Sequence, residues 1–424
     1  MKLDTKRNAY TVLVASILFN MTIQVLYVWS LLKVEKMAPF EIGGWQWSSQ
    51  EGGLPYTLAI IFFSIGVLIG GRVQDKIGPR WVATVGGAMV GIGLAVSGLA
   101  GNNPMGATIG YGVITGLGIG FGYGSVLPAC LKWFSPRKKG LIGGLVLGGF
   151  GLASVHYAFI TTALLDNFDI EKTLLYIGIA VSIISVTAAQ FVRNPSAEYS
   201  LALTEATQKT ADTQKSADTQ PTASNAKPAI DFDWKRMLKT KRFYLIFILF
   251  LFSVSMGLMI IGNMARISSL QAGITNAAFL ISLVAVMNAV GRILGGMLSD
   301  KIGRVNTLFI AIVLQMINMI GFVYYQNPLA LTLGFVFVGL CFGTFLAVFP
   351  ALTADQYGLK NYGLNYGIVY LAYGFAGVAA PMVADFFYDR SGGFNNAYLI
   401  CAAMMALMLG INFILKQEIK QNYN

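Results

Sequence analysis

The chain has 424 residues, of which 55% are hydrophobic and only 12% charged, with a formal net charge of +11. Soluble domains carry charge on about a quarter of their residues, so this composition excludes an ordinary soluble protein and points to an integral membrane protein. The 48 glycines and 28 phenylalanines suit helices packed on helices in lipid. The positive balance would hint at nucleic acid in a soluble chain, but here it has to be read loop by loop.

Apolar runs lie near 10–31, 53–71, 81–100, 107–130, 140–164 and 171–191, and again near 243–264, 275–298, 305–325, 329–352, 362–384 and 396–415. Each is about 20 residues, the length that crosses a bilayer. They predict an all-α integral membrane fold of 12 transmembrane helices in two sets of six. The first run lacks a small-residue cleavage site and continues into Lys33 to Lys36, so it reads as a span and not as a cleaved signal. With the amino terminus in the cytoplasm, 24 Lys and Arg fall on inner loops and tails against five outside. That bias places both termini in the cytoplasm and the protein, multi-pass, in the cell's inner membrane. Leaving out the nine in the central loop, 15 remain against five.

The central loop predicts a division into a six-helix half over 1–191, a cytoplasmic linker over 192–242 and a second six-helix half over 243–424. The linker contains SAEYSLALTEATQKTADTQKSADTQPTASNAKPAI, rich in Thr, Ala, Gln and Ser, with no apolar periodicity. Its end, Asp233 to Arg242, has two open readings: a basic amphipathic stretch on the inner leaflet, or a solvated charge run. Outside the apolar runs no basic cluster is interleaved with aromatic residues, so the bilayer is an expected partner and nucleic acid is not.

The halves repeat one another. Gly71-Arg-Val-Gln-Asp75-Lys-Ile-Gly78-Pro-Arg80 follows the second run and Gly296-Met-Leu-Ser-Asp300-Lys-Ile-Gly303-Arg304 the eighth, 225 residues on. Gly116 to Gly120 answers Gly339 to Gly343, and Gly144 to Gly151 answers Gly367 to Gly374, both at an offset of 223. Two halves of the same topology form the architecture in which transporters place a site at the midplane between repeats.

The eighth run, SLVAVMNAVGRILGGMLSDKIGR, carries Arg292. An arginine at a helix centre costs roughly 2.5–3.5 kcal/mol on insertion scales. Either it snorkels to the headgroups, or it lines a central cavity and receives an anion. Asn288, one turn earlier on the same face, and the slim surface made by Gly291, Gly295 and Gly296 favour the second reading.

These features resemble the major facilitator superfamily, whose signature between helices 2 and 3 has the form G-x-x-x-D-[RK]-x-G-[RK]. Both copies match, with Pro79 where the first usually has arginine. The resemblance implies a latch that steadies one state of an alternating-access cycle, formed by Asp75, Arg80, Asp300 and Arg304. Physically, the carboxylates can accept from Lys, Arg or helix N-termini; a solvated inner loop that only anchors topology is the other reading.

Within the superfamily, nearly the whole chain apart from the linker resembles the oxalate:formate antiporter group and related monocarboxylate transporters. The pieces that carry this are Tyr27-Val-Trp29-Ser-Leu, Gly122-Tyr123-Gly124 through Lys132 to Gly140, Asn288 to Arg292, Val348-Phe-Pro350 and Lys360-Asn-Tyr-Gly363. The resemblance implies that Arg292 binds a substrate carboxylate and that Tyr27, Trp29, Tyr123, Phe342 and Tyr366 close the pocket. Two departures stand out. The position of the oxalate carrier's second cation is Val369, and the aspartate that animal proton-coupled carriers place before the arginine is Asn288. One arginine suits one carboxylate.

Tyr366, Tyr370 and Tyr373 fall on one helical face, which serves core packing or the apolar end of a small acid. Gly112, Gly116, Gly120 and Gly124 form a packing face and not a phosphate cradle. His156, the sole histidine, is expected as a neutral packing residue, with proton coupling open. Cys130, Cys341 and Cys401 have neither CxxC spacing nor neighbouring histidines, so no metal or disulfide is expected, and no cofactor either. Without a G-x-x-x-x-G-K-[ST] motif the driving force is a gradient. The expected function is secondary transport of a small organic monocarboxylate of the lactate, pyruvate or formate class, by anion exchange or proton symport, in a functional monomer. Oxalate:formate exchange and a membrane sensor on a carrier fold are the alternatives; a channel is conceivable, and an enzyme is not expected.

Overall fold

The computed structural model describes residues 6–37, 44–203, 205–206, 231–274 and 278–421; within the linker, 204 and 207–230 lie outside them. The helices are α1 (Lys6–Ile23), α2 (Leu26–Met37), α3 (Ser49–Ile77), α4 (Pro79–Leu99), α5 (Pro104–Leu131), α6 (Lys139–Leu165) and α7 (Ile170–Ala189). After the linker come α8 (Lys241–Ala272), α9 (Ala278–Ile302), α10 (Arg304–Phe322), α11 (Pro328–Tyr357), α12 (Tyr362–Ser391) and α13 (Asn395–Gln421). Among the described residues eleven helices are long and apolar enough to cross a membrane. The pair α1 and α2 supplies the twelfth crossing.

That first crossing differs from the single helix expected over 10–31. It breaks at Gln24 and Val25 and continues to Met37. The carbonyls released by the break are recovered by side chains, since bare acceptors are costly in lipid. The Tyr157 hydroxyl donates to Thr22 O at 2.5 Å and the Tyr111 hydroxyl to Val25 O at 2.6 Å. A second irregularity, a π-helical stretch over Thr108–Thr115 in α5, has Thr115 Oγ1 donating to Gly110 O at 3.2 Å.

Small residues set how closely the helices meet. Gly112, Gly116, Gly120 and Gly124 of α5 lie against α3; a β-carbon at Gly116, Gly120 or Gly124 would collide with its backbone, and one at Gly112 would press tightly on Pro55 and Leu58. In the paired signature turns, Gly78 and Gly303 take φ of +89° and +92°, a region that glycine enters without steric cost; the two turns are conformational copies.

The first six crossings and the last six meet along two seams, α6 with α9 and α3 with α12. On one, Gly140 abuts Gly296 and Gly144 abuts the Arg292 carbonyl; on the other, Gly71 abuts Gly363. Both seams are closed at the face that carries the linker.

Candidate functional site

Arg292 sits where α9 is wedged between neighbours: Gly144 of α6 packs on its carbonyl, and Gly343 of α11 packs on the carbonyl of Asn288. The side chain is only 3% exposed. Its Nε donates to Asn288 Oδ1 at 3.0 Å and its Nη1 to the Leu147 carbonyl of α6 at 2.9 Å. The Phe150 ring lies 5.7 Å from its Cζ. A guanidinium has five N–H donors in a planar fork; two are spent on these neutral acceptors, and the Tyr123 hydroxyl is a further neighbour. Among the described residues no carboxylate pairs with Arg292. A buried cation held only by neutral oxygens keeps its attraction for an anion.

Around it stands an aromatic wall drawn from both sets of helices. Tyr123 of α5 has ring centroids 5.1 Å from Phe150 and 5.2 Å from Tyr370, and Phe63 of α3 lies 5.4 Å from both Tyr123 and Tyr370. Tyr366 lies 5.5 Å from Tyr370, and among the described residues its buried hydroxyl has no hydrogen bond of good geometry. Phe250 of α8 closes the wall 6.0 Å from Tyr370. The structure thus brings together Arg292, Asn288, Tyr123, Tyr366 and Tyr370, with Tyr373 5.1 Å from Tyr370 at the edge.

Other expected residues lie elsewhere. Phe342 faces α8, where its ring fills the space beside Gly257. Trp29 donates from Nε1 to Gly52 O at 2.8 Å and packs on Tyr111 at 4.6 Å, in a second aromatic group. At its centre is Lys36, fully buried, with Nζ 3.6 Å from the Trp45 ring, 4.5 Å from Trp47 and 5.6 Å from Trp29. The side chain of Tyr27 is outside the described residues. His156, half-buried, rests on the Tyr157 ring at 4.4 Å, beside the α1–α2 break and apart from the Arg292 wall.

The signature turns close the linker face. Asp300 accepts from the N–H groups of Gly140 and Leu141 at 2.9 and 2.8 Å, at the start of α6, and from Arg304 Nη1 at 2.6 Å. Arg304 Nε donates to Asp355 at 2.8 Å, and Lys139 Nζ to the same carboxylate at 3.0 Å. Asp75 makes the corresponding contacts with the N–H groups of Gly363 and Leu364 at 3.3 and 3.0 Å, at the start of α12. Its copy has no arginine, because Pro79 stands opposite Arg304. Arg80, expected in the latch, donates instead to Gln190 at 2.8 Å. The nearby cation is Lys132, outside the spans, whose ammonium is pushed below the usual lysine range by burial, with Asp75 and Asp231 acting against the shift.

Sequence reasoning missed Lys139, Asp355, Phe63, Phe150 and Phe250. One signal was available: Asp355 stands 223 residues after Lys132, the repeat offset, so the two charged residues hold corresponding positions in the two halves.

The fold and these paired turns agree with the comparisons. The description of the Major Facilitator Superfamily matches residues 9–329 and 259–422. The chain belongs to that superfamily and is a transporter. It is 26% identical over 377 residues to an uncharacterized MFS-type transporter, YhjX, of Escherichia coli K12, covering 88% of this chain and 87% of that one. It is 27% identical over 350 residues to the oxalate:formate antiporter of Oxalobacter formigenes, covering 78% and 74%. Among solved structures, the proton:xylose symporter XylE superposes with a TM-score of 0.72 at 14% identity, covering 96% of this chain and 95% of that one; this likeness is one of fold.

Proposed function

We propose that this transporter carries small organic monocarboxylates of the lactate, pyruvate or formate class, by alternating access of halves 1–191 and 243–424 about the linker 192–242. The observation that carries the reading is Arg292, buried, held by Asn288 and Leu147 and lacking a carboxylate partner among the described residues. A planar guanidinium matches a carboxylate through two parallel hydrogen bonds, and the tyrosine wall supplies hydroxyl donors and an apolar lining for the rest of a small acid.

The two aspartate latches give the cycle a state closed on the linker face. The 24 to 5 excess of Lys and Arg supports a cytoplasmic linker face, and we take the membrane to be the inner one. Substrate entering from the opposite side neutralises Arg292, and the neutralised site lets the halves rock. Exchange of anions and symport with a proton, the latter through His156, are the two forms of coupling that the titratable groups permit.

Oxalate:formate exchange is the second reading, supported by the relative of that name and disfavoured by Val369, which is fully buried and uncharged. Counterflow in proteoliposomes against a panel of labelled monocarboxylates and oxalate tests both. Saturable exchange of a monocarboxylate with oxalate inert supports the first reading; oxalate exchange at comparable rate defeats it. Val369→Lys is predicted to weaken monoanion transport, and an unchanged selectivity profile argues against this placement of the pocket.

A further inference from the structure

The two latches differ in more than their arginine, and the difference brings the end of the linker into the gate. Asp355, at the end of α11, joins the signature residue of its own set of helices, Arg304, to Lys139 of the other set, at 2.8 and 3.0 Å. The repeat offset of 223 carries Asp355 back to Lys132 and Lys139 forward to Tyr362. The copy is thus inverted in charge at one corner and uncharged at the other. Lys132, among the first six crossings, faces its own signature residue Asp75, and a tyrosine stands where its partner across the seam would be.

The other carboxylate that acts on Lys132 is Asp231. By sequence it belongs to the linker, but its contacts attach it to the last six crossings. Its Oδ1 accepts from the Lys360 N–H at 3.1 Å, and a β-carbon on Gly358, whose φ is +79°, would collide with it. Beside it the Phe232 N–H donates to Tyr357 O at 3.0 Å, and the Phe232 carbonyl accepts from the side-chain amides of Asn361 at 3.1 Å and Asn365 at 3.0 Å. The Phe232 ring is buried, with its centroid 5.6 Å from that of Tyr357. These bonds seat Asp231 and Phe232 on the turn between α11 and α12. Asp75 reaches the same turn from the other side of the seam, through the N–H groups of Gly363 and Leu364. Two carboxylates, one from each side, therefore cap N–H groups within residues 360–364, and Lys132 is within electrostatic reach of both.

We propose that Asp231 is a gate residue, which through Lys132 ties the last six crossings to the first six in the state closed on the linker face, as Lys139 and Asp355 do at the other latch. This role needs alternating access of the two sets of helices and is independent of which anion is carried. The end of the linker thereby enters the cycle, since opening that face has to part Asp231 from Lys132.

Spin labels on the linker-face ends of the two sets, in the full-length protein without substrate, report the ratio of closed to open molecules. Asp231 is exposed, and exposed ion pairs contribute modestly, so Asp231→Asn is expected to lower that ratio about two- to five-fold with the melting temperature retained. In a Lys132→Met background the same substitution is expected to produce no fall, because the partner across the seam is gone. Asp233→Asn removes a charge two residues on while keeping a side chain that caps the helix Trp234–Leu238 equally well, and it is expected to leave the ratio unchanged. An equal fall for Asp231→Asn with and without Lys132 shows that Asp231 only caps the turn on its own side and overturns the gate role. No fall in Asp231→Asn, or an equal fall in Asp233→Asn, overturns it as well. Because no substrate is present, these outcomes leave the carboxylate reading of Arg292 to its own tests.

Discussion

The Arg292 guanidinium of α9 donates to the Leu147 carbonyl of α6 at 2.9 Å, across the seam between the first six crossings and the last six. The same group is therefore the proposed receptor for the anion and a bridge between the two sets of helices. A carboxylate entering the wall competes with a neutral carbonyl for the guanidinium, and hydrogen bonds to an ionised acceptor are roughly twice as strong as neutral ones. Under the proposed function, substrate arrival is coupled to the contact that joins α6 to α9.

The two latches are unequal, and their variants are expected to be unequal too. Asp300 accepts from two N–H groups and the charged Arg304, which is itself held by Asp355; Asp75 accepts from two N–H groups and the neutral Gln74 side-chain amide, with no arginine. Hydrogen bonds to charged groups contribute about 1.5–3 kcal/mol each, so Asp300→Asn opens the linker face more than Asp75→Asn does. Distances between spin labels placed on that face check this. Equal opening in both variants contradicts the assigned roles.

Lys36 is surrounded by three tryptophans and, among the described residues, its Nζ has no hydrogen-bond partner. Cation–π contacts contribute about 2 kcal/mol when desolvated. Trp45→Ala, which removes the closest ring and leaves the charge, is expected to destabilise by about that amount, whereas Lys36→Met keeps the stem, removes the charge and loses less. Melting temperatures in detergent decide; a larger loss in Lys36→Met rules out the cage as the main support.

A His156 variant tests the proposed coupling. Exchange predicts rapid counterflow that ignores a pH gradient, and symport predicts gradient-driven uptake lost in His156→Ala. The histidine touches Tyr157, whose hydroxyl holds the broken first crossing at Thr22, so protonation there acts on the α1–α2 break and not on Arg292 directly. Strong gradient-driven uptake that survives His156→Ala excludes both forms.

Hydropathy made the crossings legible, because a bilayer accepts only long apolar segments with internally paired backbones. The repeat offset made the latch aspartates legible as well. The break at Gln24 was not, since no proline or glycine marks it and its support comes from Tyr111 and Tyr157, distant in sequence. The destination of Arg80 was equally hidden: Pro79 signalled a departure from the signature, but only the packing of α4 on α7 shows Gln190 as the partner. The family resemblance implied Trp29 as a pocket residue, and the tertiary structure gives it to the Lys36 group instead.

Equilibrium binding of a labelled small monocarboxylate to purified wild-type and Arg292→Lys protein tests the central claim most directly, because it needs neither a gradient nor a complete cycle. The point charge of lysine cannot offer the two-pronged geometry, and loss of one hydrogen bond to a charged group costs about 1.5–3 kcal/mol, so affinity is expected to fall at least about ten-fold with the melting temperature retained. Equal affinity in the two proteins would show that Arg292 does not receive the carboxylate.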